Sequence, residues 1–468
     1  MRYYFLGIGG IGMSALARFF HRRGDIVSGY DRTPSPLTAE LESEGISIHY
    51  DDCPSELPSN IDLVIYTPAV PEDLGEFQAL KTTGVRMEKR SQVLGELTRG
   101  KRCIAVAGSH GKTTTSTLIA YLLSKTPCGC SAFLGGISKN FGSNLLIDND
   151  SEYVVVEADE YDRSFLQLHP YYSIITATDA DHLDIYGDHH TLLEAYAQFA
   201  NQTDKDGLVL IKDGIFLEDN GESFGHDGDP DEHHHSLYEF IRPPHATYTT
   251  HGIDADYYAI NVRTYNGNLF FDLRTPEGVL FDLELDGSPL VNIENAVAAS
   301  AIALKCGLDQ YQLRNGLKSF TGVRRRFDYH IREKELIYID DYAHHPQEIE
   351  RTIESVRYLY PGKRLVGVFQ PHLYTRTRDF ADEFARVLSA LDEIVMMPIY
   401  PAREKPLPGV TSSMVLRKID NMSKYLCTPD QVLELVPALC PDVVLTLGAG
   451  DIDRLVPRLE ETLRENML

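Results

Sequence analysis

Lys112 and Thr113 close a loop, Gly108-Ser109-His110-Gly111-Lys112-Thr113-Thr114, whose residue types suit a nucleoside triphosphate. Backbone N–H groups at a helix start face an anion, a lysine at this spacing reaches β and γ phosphates, and a threonine hydroxyl can ligate Mg2+. Val106 stands where the G-x-x-x-x-G-K-[ST] pattern has its first glycine, so Gly108 must supply the turn. The alternative is a helix that happens to begin Gly-Lys-Thr-Thr.

About a hundred residues upstream, Gly7-Ile8-Gly9-Gly10-Ile11-Gly12 fits G-x-G-x-x-G and runs into Met13-Ser14. Asp31 lies 19 residues after the last of these glycines, where a carboxylate can accept from a ribose hydroxyl. Taken alone, this loop fits a nicotinamide dinucleotide, a nucleotide-diphosphate substrate or a structural turn. Two phosphate-binding loops in one chain suit an enzyme that holds two phosphorylated ligands.

Acids and histidines gather at the ends of apolar runs. Glu157, Asp159, Glu160 and Asp162 follow Tyr153 to Val156, and a carboxylate there sits beside the phosphate loop and can hold hydrated Mg2+. Glu157 is the candidate; the alternative is a solvated acidic turn. Ile174 to Thr176 leads to Asp179, Asp181, His182 and Asp184, with His182 a candidate second ligand, although an isolated histidine is more often structural. Asp340, Asp341, Tyr342, His344 and His345 follow Leu336 to Ile339, and Gln370, His372 and Arg376 follow Arg364 to Phe369. Arg325, Arg326 and Arg376 can neutralise phosphate or carboxylate, or belong to surface ion pairs. His233-His234-His235 lies in the Gly/Asp/His-rich stretch 219–236, which reads as a solvated loop.

These residues need a framework of strands. Residues 2–8, 26–30 and 61–66 read as strands separated by helical patterns such as 14–23, the alternation of a parallel sheet with crossover helices. It lapses at Thr98-Arg99-Gly100-Lys101. A second α/β unit has strands at 103–107, 153–156, 173–176 and 208–211 and helices at 114–123 and 191–200. Runs 257–262, 268–273 and 279–285 alternate as antiparallel strands, and a helix spans 295–305. Strands at 336–339, 364–369, 393–398 and 442–447 make a third unit. The expected fold class is α/β with three domains, 1–99, 100–321 and 322–468.

The chain has 468 residues, 43% hydrophobic, enough for several cores at roughly 150 residues per domain. A net charge of -25 makes the surface repel nucleic acid and anionic lipid, so anionic ligands must be caught by local donors. The 7 cysteines lack zinc or CxxC spacing and read as buried thiols of a reducing cytoplasm. The first apolar run reads as a strand and not a signal peptide, and no stretch is long enough to span a membrane.

In this order, the motifs Gly7 to Ser14, Gly108 to Thr115, Glu157-Ala158-Asp159-Glu160, Asp181-His182-Leu183-Asp184, Arg325-Arg326-Phe327-Asp328, Asp341 to Pro346 and Gln370-Pro371-His372 resemble the Mur ligase family over essentially the whole chain. The resemblance implies a Rossmann-like N-terminal domain for a UDP-sugar, a central P-loop ATPase domain with a parallel sheet plus a small antiparallel sheet, and a Rossmann-like C-terminal domain that closes over ATP and receives an amino acid. It implies ATP and Mg2+ as cofactors and UDP-N-acetylmuramate and L-alanine as substrates. ATP would phosphorylate the lactyl carboxylate and the alanine amine would displace phosphate, in cytoplasmic peptidoglycan precursor synthesis by a monomer or dimer.

By family likeness, Thr113 serves the Mg2+ on ATP, and Glu157 and His182 serve a site nearer the acyl phosphate. Asn292 and Asn295 match positions near adenine, Asp341 lies toward the ribose, and Arg326 joins the ATP set. Gly9, Gly10, Ile11, Gly12, Ser14, Asp31, His49, Thr67 and Arg90 are expected to hold the UDP-sugar, and Tyr342, His344, His372 and Arg376 the amino acid. Lys112, Glu157, His182, His344 and Arg376 are expected to carry catalysis. Three positions depart from the pattern: Ser109 for a frequent Thr, Leu373 for a frequent Arg, and Gln198 near a lysine that sister ligases carbamylate. The nearest rival is a sister recycling ligase that adds a tripeptide to the same sugar. An NAD-dependent oxidoreductase would leave the second loop without a purpose, and a nucleotide-switched binding protein would hydrolyse ATP without forming an amide.

Overall fold

The computed structural model describes residues 1–180, 182–215, 241–250, 252–402 and 404–467; the stretch 219–236 and Asp181 lie outside them. The chain divides into two compact units, one of residues 1–260, 272–283 and 294–320, the other of 261–271, 284–293 and 321–468.

The first unit opens on a five-stranded, wholly parallel sheet, in the order Ser47–His49, Ile26–Tyr30, Arg2–Leu6, Leu63–Tyr66, Met87–Lys89. Tyr4, Phe5 and Leu6 are fully buried, as a strand covered on both faces requires. Arg2–Leu6 is central, and its neighbours on the two sides come from opposite directions of the winding. Gly7 to Gly12 therefore leave the sheet where its order reverses, the place where parallel sheets open a ligand crevice. The helix Ile11–Arg22 follows, burying Met13, Ala15, Leu16, Ala17 and Phe20 and carrying His21 and Arg22 in its last turn, where cations complement the helix dipole. No side chain caps its first turn, so those N–H groups can serve a ligand.

The second sheet has ten strands, with Arg102–Ala107 between Pro170–Ile175 and Tyr153–Glu157. Val106 pairs with Glu157 and Ala107 with Ile175, so the phosphate loop, the acid run and Thr176 leave one sheet edge together. The helix Lys112–Leu123 is buried from Thr113 to Leu123. Truncating one of its fully buried leucines, such as Leu122, would cost roughly 2–5 kcal/mol. Strands Ser131–Ser138 and Ser143–Leu146, absent from the sequence reading, complete one side of the sheet. At the other side, Tyr257–Tyr265, Asn268–Thr275 and Gly278–Leu285 are joined by two-residue turns, the first with Asn266 and Gly267 at φ 52° and 75°. Such turns reverse the chain into antiparallel hairpins, as expected.

The second unit carries a six-stranded sheet, in the order Asp328–Arg332, Ile337–Asp341, Val443–Leu447, Leu365–Phe369, Glu393–Met396, Lys424–Leu426, with only the first strand antiparallel. The strand expected to end at Ile339 runs on through Asp340 and Asp341. Their ladder with Thr446 and Leu447 continues, because burial leaves those backbone groups no partner but the sheet. No helix among the described residues is long and apolar enough to cross a membrane.

Candidate functional site

Lys112 Nζ donates to the Gly108 carbonyl at 2.6 Å and to both carboxylate oxygens of Glu160 at 2.9 and 2.8 Å. Burial alone would lower the lysine pKa, but Glu160, Glu157 and Asp159 outweigh it and hold the ammonium above its ordinary value. Gly108 has φ 133°, and a Cβ there would collide with Thr176 Oγ1, which hydrogen-bonds the Ala107 and His110 carbonyls. Only glycine meets both demands. Ser109 N–H donates to the Ala177 carbonyl at 3.1 Å, tying the loop to the next strand end. Thr113 and Thr114 begin the helix. Asn295 lies behind the loop, where its Oδ1 accepts from Thr115 Oγ1 at 3.1 Å and faces Gly111.

The Glu157 carboxylate rests on bare backbone, since a Cβ at Gly135 would overlap it. His182 adopts φ 53° and places Nε2 3.8 Å from Glu160 Oε1. The Glu160 carbonyl is fixed by Tyr186 Oη at 2.6 Å. Thr113 hydroxyl and Glu157 carboxylate are the hard oxygen donors Mg2+ prefers, and His182 is a softer neighbour. The described residues contain no ready-made cluster of three His, Cys, Asp or Glu metal ligands, so phosphate and water oxygens would have to complete a shell.

The first loop shares a cavity of about 250 Å³ with the acid run. Gly10, Ile11, Gly12, Thr67 and Arg90 line it from one side and Phe133, Gly135, Glu157 and Asp159 from the other. Arg90 packs on Gly12. Asp31 accepts from the Gly9 and Thr33 N–H groups at 2.8 and 3.2 Å, bracing the loop. His49 is outside the cavity lining, with Nε2 2.7 Å from Glu76 Oε1 and 3.3 Å from Tyr4 Oη. Ser14 is fully buried, its hydroxyl donating to the Ile11 carbonyl at 2.8 Å. Sequence reasoning missed Asp159 as a cavity residue and Gly135 altogether; the adjacent pair Gly135-Gly136 was the available signal.

In the second unit, burial lifts the Asp341 carboxyl to about 7, against the pull of Arg326 and the Ala343 and Phe327 N–H groups, each 2.8 Å away. Arg325 is committed internally, to Asp340 at 3.3 Å and the Gly448 carbonyl at 2.6 Å, while Arg326 lies 4.9 Å from the Tyr342 ring centre. Asn292 belongs to the helix Val291–Lys305. His344 stands edge-on to His372 with ring centres 5.9 Å apart. Burial, then His344 and Arg376, press His372 down to about 4. Neutral His372 can therefore accept from Arg376 Nη1 through Nδ1, 3.4 Å away. Leu373 between them has φ 70°, a left-handed conformation uncommon for a branched side chain.

A family model described as the Mur ligase family, catalytic domain, matches residues 2–102; the Mur ligase middle domain matches 106–303, and the Mur ligase glutamate ligase domain 325–450. The UDP-N-acetylmuramate–L-alanine ligase of Parabacteroides distasonis is 47% identical over 466 residues, 98% of this chain and 96% of its own. That of Porphyromonas gingivalis is 46% identical over 469 residues, 99% of each chain. The solved UDP-N-acetylmuramate-alanine ligase of Thermotoga maritima superposes with a TM-score of 0.82 at 27% identity, covering 99% of both chains.

Proposed function

The chain belongs to the Mur ligase family, and from that premise we propose that it joins L-alanine to the lactyl carboxylate of UDP-N-acetylmuramate at the expense of ATP. The observation that carries the reading is the cavity in which the first glycine loop and Arg90 face Glu157 and Asp159, two acids that also act on the Lys112 ammonium. A ligand whose diphosphate sits on Gly10 to Gly12 can extend its far end toward the second loop. A single dinucleotide on the first loop leaves this continuity unused, and the curated relatives disfavour both the oxidoreductase and the tripeptide ligase.

The chemistry follows from charge. A carboxylate attacking a γ-phosphate is an encounter of anions, so the site must screen both without moving. Lys112 would exchange Glu160 for phosphate oxygens, and loop N–H groups would hold the β-phosphate. Thr113 and Glu157, with His182 beside them, would hold Mg2+, which screens phosphate charge when bound. We assign the alanine carboxylate to Arg376 and His372, and proton acceptance from its amine to His344, whose pKa burial lowers. Such a group is neutral, and able to accept, at physiological pH. Asn292, Arg326 and Asp341 are assigned to the nucleoside end of ATP. The domain limits 1–99, 100–321 and 322–468 and a cytoplasmic location belong to the same proposal.

The test is phosphate release with ATP and UDP-N-acetylmuramate, comparing L-alanine with the tripeptide of the recycling reaction, and mass spectrometry of the product. An alanine-dependent amide product is expected. Turnover with the tripeptide alone would replace this reading with the sister ligase, and ATP hydrolysis without amide would leave a nucleotide switch.

A further inference from the structure

A side chain of the second sheet, outside the cavity lining, grips the first loop's own backbone. Asn144, on the strand Ser143–Leu146, is fully buried. Its Nδ2 donates to the Ile11 carbonyl at 2.6 Å and to Ser14 Oγ at 2.9 Å, both in the first turn of the helix Ile11–Arg22. Its Oδ1 accepts from Arg18 Nη1 at 2.7 Å. A guanidinium only donates, so the amide can face it only with its oxygen, and both amide hydrogens must point at the loop. Arg18, 2% exposed, is fixed in turn by Glu44 at 2.7 Å and Glu40 at 3.0 Å.

The strand that carries Asn144 is two strands from the acid Glu157. Leu146 pairs with Ala132, and Phe133 on the same strand as Ala132 pairs with Val156, next to Glu157. Ile11, Gly12, Phe133, Gly135 and Glu157 line one cavity. A shift of the loop against the strand Ser143–Leu146 breaks both Asn144 Nδ2 bonds and leaves half of a fully buried amide without partners, which makes each small displacement costly.

We propose that Asn144 is a positioning residue for the UDP-sugar: it holds the diphosphate loop of the N-terminal domain in register with Glu157 of the central domain. The proposal rests on the UDP-sugar reading of the cavity. It also accounts for Ser14, whose hydroxyl faces Asn144 instead of the ligand.

Asn144→Asp keeps the shape and the acceptor toward Arg18 but sets a carboxylate oxygen against the Ile11 carbonyl oxygen. Ser14→Ala removes one partner and leaves the Ile11 bond. Titration calorimetry with UDP-N-acetylmuramate alone is expected to show Kd raised about tenfold by Asn144→Asp and about threefold by Ser14→Ala, the range of one lost buried hydrogen bond. The Kd of a non-hydrolysable ATP analogue should stay within about twofold, and amide exchange at Gly12 to Ser14 should quicken in both ligand-free variants. Unchanged sugar affinity, or equal weakening for both ligands, overturns the proposal; if Asn144→Asp does not fold, Ser14→Ala decides alone. Failure of the wild-type chain to bind the UDP-sugar would instead overturn the functional reading, and loop-amide exchange would still decide whether Asn144 holds the loop.

Discussion

Arg90 Nη2 stands 3.3 Å from the Asp159 carboxylate, and the adjacent Lys89 Nζ stands 2.6 Å from Asp162. Two cations at the end of the strand Met87–Lys89 thus meet two acids of the run that begins at Glu157. The Arg90–Asp159 pair is partly exposed, so its contribution to stability is small, about 0–1 kcal/mol. A weakly held guanidinium over Gly12 can be taken over by a ligand phosphate.

Arg90→Ala should therefore raise KM for UDP-N-acetylmuramate about 10- to 100-fold, the worth of a charge-assisted hydrogen bond. KM for ATP should change little. Initial rates with the sugar varied at saturating ATP and alanine give the answer, and an unaltered sugar KM would take Arg90 out of the site.

Lys112 and Glu160 should behave as a coupled pair. Lys112→Ala removes the ammonium assigned above to the γ-phosphate, and a loss of at least about 10²–10³ in kcat is expected. It also strips Glu160, 1% exposed, of the ammonium that both its carboxylate oxygens accept from, at a cost of roughly 3–5 kcal/mol. Adding Glu160→Gln should restore most of the melting temperature and none of the turnover. Thermal melts of both variants that coincide would show that the pair carries no such coupling.

Asp341 and His372 predict pH dependences of opposite sign. The folded Asp341 carboxyl takes up its proton at about 7 and the unfolded one near 3.8, so the folded chain binds more protons in between. Its contribution is full below about 3.8 and lost as pH rises through about 7. His372 goes the other way: down to about 4 from 6.5, its contribution is present above 6.5 and lost as pH falls through about 4. Melting temperatures from pH 4 to 8 should fall less steeply with rising pH in Asp341→Asn than in the wild-type chain. In His372→Asn they should fall less steeply on acidification. Variant curves parallel to wild type would show that neither group is shifted.

Both glycine-rich strand-to-helix loops and the strand-end clusters were legible because glycine spacing and apolar runs are local signals. The side of a loop that a residue faces is not local. Ser14 and Asn295 were expected at ligands from sequence alone, whereas their bonds to Asn144 and Thr115 are made by packing that sequence spacing does not show. The strands Ser131–Ser138 and Ser143–Leu146 were missed because Gly135-Gly136 and the turn before Ser143 break the alternation that marks a strand. With them went Gly135, which lines the cavity against Glu157, and Asn144, the residue proposed to hold its loop.

Gly135 yields the sharpest of these tests, because its role is an absence of atoms. A Cβ at this position would overlap the Glu157 carboxylate, while no left-handed conformation is needed there. Gly135→Ala can therefore keep the backbone, and the carboxylate must move. Displacement of about 1 Å at a group that holds charge against a phosphate is enough for about a 10²-fold loss of kcat. The variant should melt within a few degrees of the wild-type chain and bind UDP-N-acetylmuramate, but need far more Mg2+ for half-maximal turnover. Serine should act like alanine, since the lesion is the Cβ itself. A Mg2+ titration indistinguishable from wild type would mean that Glu157 is not the carboxylate that meets the metal.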